Sequence, residues 1–163
     1  MKLIIIDTSI NKLMDASENL PDLHCCLDCT AFNLRKATRA ISQFYDDMLR
    51  PVGIRGTQYS LLVALKLKGK VLITELAEKT VMDRTTLTRN LEVMEKQGLV
   101  DVSPGEDRRT RIVSITEQGS AILLKAYPLW LQAQTQIANT MQSERMDQLM
   151  AGISELIDIT KQA

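Results

Sequence analysis

The chain has 163 residues, 45% of them hydrophobic and 25% charged, and a formal net charge of zero. That length suits one domain that buries its own core without disulfides or metal. The longest uninterrupted apolar run, residues 61–65, is far too short to cross a bilayer. The opening MKLIIIDTSINKLMD carries too short an apolar run for a secretory signal, so the expectation is a cytoplasmic protein with no membrane partner. Charge distribution says more than its sum: residues 66–111 carry ten basic and eight acidic side chains, residues 112–163 three and five.

In chain order, Ile6, Ile10, Leu13 and Met14 make a short apolar stripe closed by Pro21. Leu34, Ala37, Ile41, Phe44, Tyr45 and Met48 recur every three or four residues, which predicts a long amphipathic helix ending before Pro51 and Gly53. Thr57 is the expected N-cap of a second helix carrying Leu61, Leu62 and Leu65 and stopping near Gly69. Two short helices follow, ELAEK capped by Thr74 and RTTLTRNLEVMEKQ capped by Asp83, with Gly98 as the C-terminal stop. About four residues separate them, a helix-turn-helix pattern.

The period then changes to two. Val100 and Val102, then SPGEDRRT, then Val113 and Ile115 read as a two-stranded hairpin with a polar loop, or wing. Thr116 caps a helix of about two dozen residues, which Pro128 should kink unless the register changes there. A last helix from Ser143 presents Met146, Leu149, Met150, Ile153, Leu156 and Ile157 at helical spacing. The fold class is mainly α, a winged helix-turn-helix flanked by N- and C-terminal helices. Residues 54–116 form the winged lobe, and 1–50 with 117–163 form the helical remainder of one domain.

At about 100° per residue, the second helix of the pair sets Thr85, Arg89 and Lys96 opposite its Leu87, Leu91 and Met94 stripe, flanked by Thr86 and Glu92. Hydroxyls and a guanidinium in the first turns of an outward face suit base edges in the major groove. Any helix taken alone could instead show a merely solvated face. The wing shifts the balance. An arginine at its tip would sit in the negative potential of the adjoining minor groove, and Asp107 would orient the Arg109 guanidinium by a charge-assisted contact. Double-stranded DNA is therefore the expected partner.

The block LITELAEKTVMDRTTLTRNLEVMEKQGLV followed by GEDRRTRIVSITEQG resembles the core of the MarR-type winged-helix regulators. LRKATRAISQFYDDMLRPVGIRGTQYSLLVAL is similar to that family's first two helices, and KAYPLWLQAQ resembles its long fifth helix. The resemblance covers about residues 25–160. It implies a homodimer held by the first and last helices, acting as a transcriptional repressor released by a small molecule or oxidant in a stress response. It puts Arg84, Thr85, Thr86 and Arg89 in the DNA-reading helix and Asp107 and Arg109 in the wing, with Arg108, Arg111 and Lys96 as further candidate contacts. An inducer site between the helices and the DNA-binding lobe would be lined by Phe44, Tyr45, Tyr59 and Trp130, although aromatics at this spacing also serve as core. A phenolic compound or a peroxide is the candidate effector. Val81 departs from the glycine common in such turns. A β-branched residue resists positive φ, so the turn is expected to differ from the glycine version.

HCCLDC raises a separate question. On one helix Cys25, Cys26 and Cys29 would share a face beside His24. Four ligands within six residues rarely close a tetrahedron around zinc, so no metal is expected. Small buried residues packing at a dimer contact are the plainer reading. Redox sensing is the third: some peroxide-responsive members of the family carry a reactive cysteine near the start of this helix, about two residues out of register with Cys29. Thiols at helix N-termini ionise more readily, whereas the neighbouring Asp28 works against that.

Nothing points to an enzyme or a cofactor. His24 lacks a serine–aspartate context, and there is no glycine-rich phosphate loop. The alternative from another class is a winged helix that binds only protein.

Overall fold

A computed structural model describes residues 27–161, Arg108 excepted. The stripe of Ile6, Ile10, Leu13 and Met14, and the residues His24, Cys25 and Cys26, lie outside the described residues. The chain divides into two compact units, Met1–Ala40 and Ile41–Ala163. Helix α1 (Thr30–Leu49) begins in the first and ends in the second. The first half of its expected apolar stripe is solvent-facing, whereas Phe44, Tyr45 and Met48 in the second half are half-buried. Leu34 and Ile41 are exposed, and Leu49, outside the stripe, is the residue that the helix buries.

A single 3-10 turn at Arg50–Val52 and a left-handed Gly53 lead into α2 (Gly56–Lys68). The cap expected at Thr57 sits two residues earlier. Arg55 is the N-cap, and the Gln58 side chain accepts the Arg55 N–H at 2.9 Å. After Gly69 comes β1 (Val71–Leu72), then α3 (Ile73–Thr80), α4 (Arg84–Lys96), β2 (Val100–Pro104) and β3 (Arg111–Ile115). Thr74 does not cap α3. The helix starts directly from the extended Leu72, and no side chain caps it. Two long helices close the chain, α5 (Glu117–Met141) and α6 (Ser143–Lys161).

The hairpin is one strand wider than expected. β1 pairs antiparallel with β3, Val71 opposite Val113 and Leu72 opposite Ile112, giving the order β1-β3-β2. Between β2 and β3, Val102 faces Val113 and Val100 faces Ile115, so one sheet face is apolar. Against it pack Leu61, Leu62 and Leu65 of α2, Leu76 of α3, and Leu87, Leu91 and Met94 of α4, all buried. A fully buried leucine stabilises by about 2 kcal/mol, so this cluster fixes how the two helices of the helix-turn-helix sit on the sheet.

Thr116 caps α5 as expected, its hydroxyl accepting the Gly119 N–H at 2.9 Å. The same hydroxyl donates to the Gly98 carbonyl at 2.6 Å, and the Thr116 N–H reaches Leu99 O at 3.1 Å. This close approach requires glycine at 119, because a Cβ there would overlap the Leu99 carbonyl. α5 runs unbroken across Pro128. The carbonyl that the proline leaves without a donor belongs to Leu124, whose residue is 73% exposed. Exposed apolar side chains are concentrated on α5 and α6, including Leu124, Tyr127, Leu131, Leu149, Met150 and Ile159.

Candidate DNA-binding face

The turn between α3 and α4 keeps the left-handed geometry despite its valine. Val81 has φ 52° and ψ 37°. Its N–H reaches Glu78 O at 3.3 Å, and Met82 N–H reaches Ala77 O at 3.0 Å, the two bonds of a Schellman ending. The expectation of a different turn is thus corrected. Helix–helix packing on either side, with Ala77 and Leu87 buried, outweighs the local cost of about 1–2 kcal/mol for a non-glycine residue there. α4 itself ends in a Schellman motif with glycine in place, Gly98 at φ 70°.

Asp83 caps α4. Its carboxylate accepts the Thr86 N–H at 2.8 Å, and hydrogen bonds from Thr86 hold its pKa below the ordinary aspartate value. Beyond the cap, Arg84, Thr85, Thr86 and Arg89 are exposed along the outward face, and Lys96 is exposed in the last turn.

In the wing, Asp107 does not hold the Arg109 guanidinium. Its carboxylate accepts the Arg109 backbone N–H at 2.9 Å, and its carbonyl accepts the Thr110 N–H and hydroxyl at 2.8 and 2.7 Å. Asparagine-like turns of this kind favour the short carboxylate's own backbone over a flexible guanidinium four bonds out. Asp107 therefore shapes the loop and leaves the arginine free to reach outward. Arg108 lies outside the described residues.

Sheet and helix bring these parts to one cleft of about 330 Å³, lined among others by Arg84 and Glu92 of α4 and by Arg109 and Arg111 of the wing. None of the three arginines forms an ion pair among the described residues, where the pairs are Arg50–Asp47 and Lys79–Glu75. Thr85, Thr86, Arg89 and Lys96 do not line the cleft. Thr88, Glu95 and Thr110 do, and sequence reasoning missed them. The four-residue step from Arg84 to Thr88 to Glu92 was the available signal.

A second cavity, about 320 Å³, opens between α1, α2 and α5. Tyr45, Tyr59 and Trp130 line it, with Gly56, Thr57 and Met82. Phe44 does not. It packs edge-on against Tyr45 with ring centroids 5.7 Å apart, turned off the cavity by its place on the helix. Tyr59 stacks on Trp130 at 5.8 Å, and Trp130 on Tyr127 at 6.0 Å. Tyr127, one turn before Trp130, is the member that the sequence reading passed over. The Tyr45 hydroxyl donates to Gln134 Oε1 at 2.8 Å. Burial raises the pKa of both tyrosines, for Tyr59 with help from Tyr127, so both are neutral donors at physiological pH.

Cys29 is exposed and precedes α1 rather than lying within it. Its carbonyl accepts the Asn33 N–H at 3.0 Å, so it takes the N-cap position, and the expectation of a thiol face along one helix is corrected to that extent. No group of three potential ligands is placed to hold a metal ion among the described residues, and no helix there is long and apolar enough to cross a membrane.

Residues 52–110 match the model of the MarR family. The chain is 31% identical over 96 residues to the organic hydroperoxide resistance transcriptional regulator of Bacillus subtilis, covering 58% of this chain and 65% of that one. An uncharacterised helix-turn-helix regulator of the same organism is 27% identical over 85 residues, 52% of this chain and 62% of that one. The match thus spans slightly under two thirds of these two relatives. Among solved structures, the M. tuberculosis transcriptional regulator MosR in complex with DNA is similar at 36% identity, with a TM-score of 0.73 over 82% of this chain and 98% of that one. A mutant of E. coli MarR complexed with operator DNA shares the fold at 19% identity and a TM-score of 0.74, over 83% and 99% of the two chains.

Proposed function

The chain belongs to the MarR family of winged-helix transcriptional regulators, and from that premise we propose that it binds a pseudo-palindromic DNA operator as a homodimer. The observation that carries this reading is the convergence of Arg84, Arg109 and Arg111 on one cleft beside the exposed Thr85, Thr86 and Arg89. α4 enters the major groove with its N-terminal turns leading. The wing carries Arg109 to the neighbouring minor groove, and the cleft receives the phosphate strand between them. The second copy covers the apolar faces of α5 and α6.

The two arginine classes make different predictions. Arg109→Ala weakens binding to all sequences and reduces the slope of log affinity against log salt by about one unit. Arg89→Ala removes a bidentate guanine contact worth about 1–3 kcal/mol of discrimination, so it flattens sequence preference. Equal losses on selected and random duplexes would place Arg89 on phosphate alone.

For the release signal, the cavity lined by Tyr45, Tyr59 and Trp130 suits a flat phenolic molecule, which the neutral Tyr45 and Tyr59 hydroxyls would orient. An oxidant is the second reading, favoured by the exposed Cys29 and by the hydroperoxide regulator among the relatives. The thiolate would take one oxygen from a hydroperoxide, becoming a sulfenic acid and leaving an alcohol. Operator binding that is lost in cumene hydroperoxide, recovered with thiol, and insensitive in Cys29→Ser would select the oxidant. Loss in all three cysteine-to-serine variants alike would reject it.

A further inference from the structure

Gln58 is the one buried polar or charged side chain among the described residues, at 7% exposure. Both ends of its amide are used. Oε1 accepts the Arg55 N–H at 2.9 Å, closing the start of α2, and Nε2 donates to Gln97 Oε1 at 2.7 Å, across 39 residues of sequence. Gln97 is the residue on which α4 ends. Gln118 at the start of α5 holds the same point from the other side, its amide donating to the Gln97 carbonyl at 3.1 Å. At the residue after Arg55, the Gly56 N–H donates to Asp46 Oδ1 at 2.7 Å, and a Cβ at Gly56 would crowd Tyr45. A continuous polar line thus runs from α1 through the first turn of α2 to the C-terminal end of α4.

Leucine would fill a similar volume but would leave the Arg55 N–H without its side-chain acceptor and Gln97 without its donor. A buried amide has to find partners or carry the full cost of its lost hydration. What glutamine adds to that packing is direction: its two bonds tie the start of α2 to the end of α4. We propose that Gln58 is a positioning residue for DNA recognition, locking the far end of the recognition helix to the α1–α2 corner so that Arg84, Thr85, Thr86 and Arg89 enter the groove in one orientation. The proposal rests on the DNA-binding reading above. It also gives the aromatic cavity a mechanical neighbour, because Thr57 and Tyr59, on either side of Gln58, both line that cavity.

The test compares full-length wild type, Gln58→Leu, Gln58→Glu, Gln97→Leu and the double Gln58→Leu/Gln97→Leu variant. Affinity is measured on a duplex selected from random sequence by the wild-type protein and on an unselected duplex, well below each melting temperature. Gln58→Leu and Gln97→Leu should each lose about tenfold on the selected duplex and less than about twofold on the unselected one. The double variant should lose no more than either single one. Gln58→Glu, which regains both contacts once the Gln97 amide turns over, should recover most of the loss. Independently of DNA, amide hydrogen exchange in Glu95, Lys96 and Gln97 should quicken in Gln58→Leu without a matching change in α2 beyond its first turn. Gln97 is exposed, so its variant keeps the fold even if Gln58→Leu does not. Equal affinity losses on both duplexes, additive losses in the double variant, or unchanged exchange at the end of α4 would overturn the positioning role. Failure of the wild type to select any duplex would instead overturn the DNA-binding reading and leave the exchange measurement to decide on Gln58.

Discussion

Val81 holds a left-handed conformation that β-branched residues avoid, and its side chain, 60% exposed, gains little from packing in return. Val81→Gly removes that strain, and the extra freedom of glycine in the unfolded chain cancels part of the gain. The expected outcome is a rise in unfolding free energy of about 0.5–1 kcal/mol in a urea titration, with a fall of that size contradicting the geometry. Asp83 behaves in the opposite sense with pH. Hydrogen bonds from Thr86 lower its folded pKa, so its contribution is complete above the ordinary aspartate pKa. The contribution disappears as pH falls through the lowered folded value. Asp83→Ala should therefore lower the melting temperature at neutral pH, and the gap should narrow once both pKa values have been passed in acid. A gap between variant and wild type that stays constant down to that acid range would show that the cap matters for another reason.

Among the elements, those whose ends are chemically marked were legible in the sequence. Asp83 and Thr116 cap as their side chains suggest, and Gly98 ends α4 with the expected backbone twist. Thr57 and Thr74 carry the same hydroxyl cue and cap nothing, because the chain enters α2 from a Gln58-braced Arg55 and α3 straight from a strand. That strand, Val71–Leu72, is two residues long and cannot display a period of two, so only its pairing with β3 reveals it. The outward face of α4 followed from helical geometry alone. The cleft needed β3 to set Arg111 beside Arg84, a tertiary fact, and the Asp107 turn needed the loop's backbone path. The sharpest element-level prediction concerns the junction of α5 with the sheet. Gly119→Ala forces a methyl into the Leu99 carbonyl and should cost about 3 kcal/mol or more, measured by chemical denaturation. A loss below about 0.5 kcal/mol would mean that the junction yields, and with it the rigid seating of the wing.

For the molecule as a whole, a chain of zero net charge suits a polyanion by concentrating arginines on one face. Arg84, Arg89, Arg109 and Arg111 lie on α4 and the wing, while exposed leucines, isoleucines and a methionine cover α5 and α6. In the proposed dimer, two copies joined through the latter would present two recognition helices, and successive major grooves require these to be about 34–36 Å apart. The most direct measurement is the affinity of the wild-type protein for a duplex that it has selected, followed against salt concentration, with stoichiometry from sedimentation. The prediction is two protomers per duplex and a log–log slope of about −5 to −9, from roughly three to five phosphate contacts in each half-site. One protomer per duplex, or a slope near zero, would contradict the account.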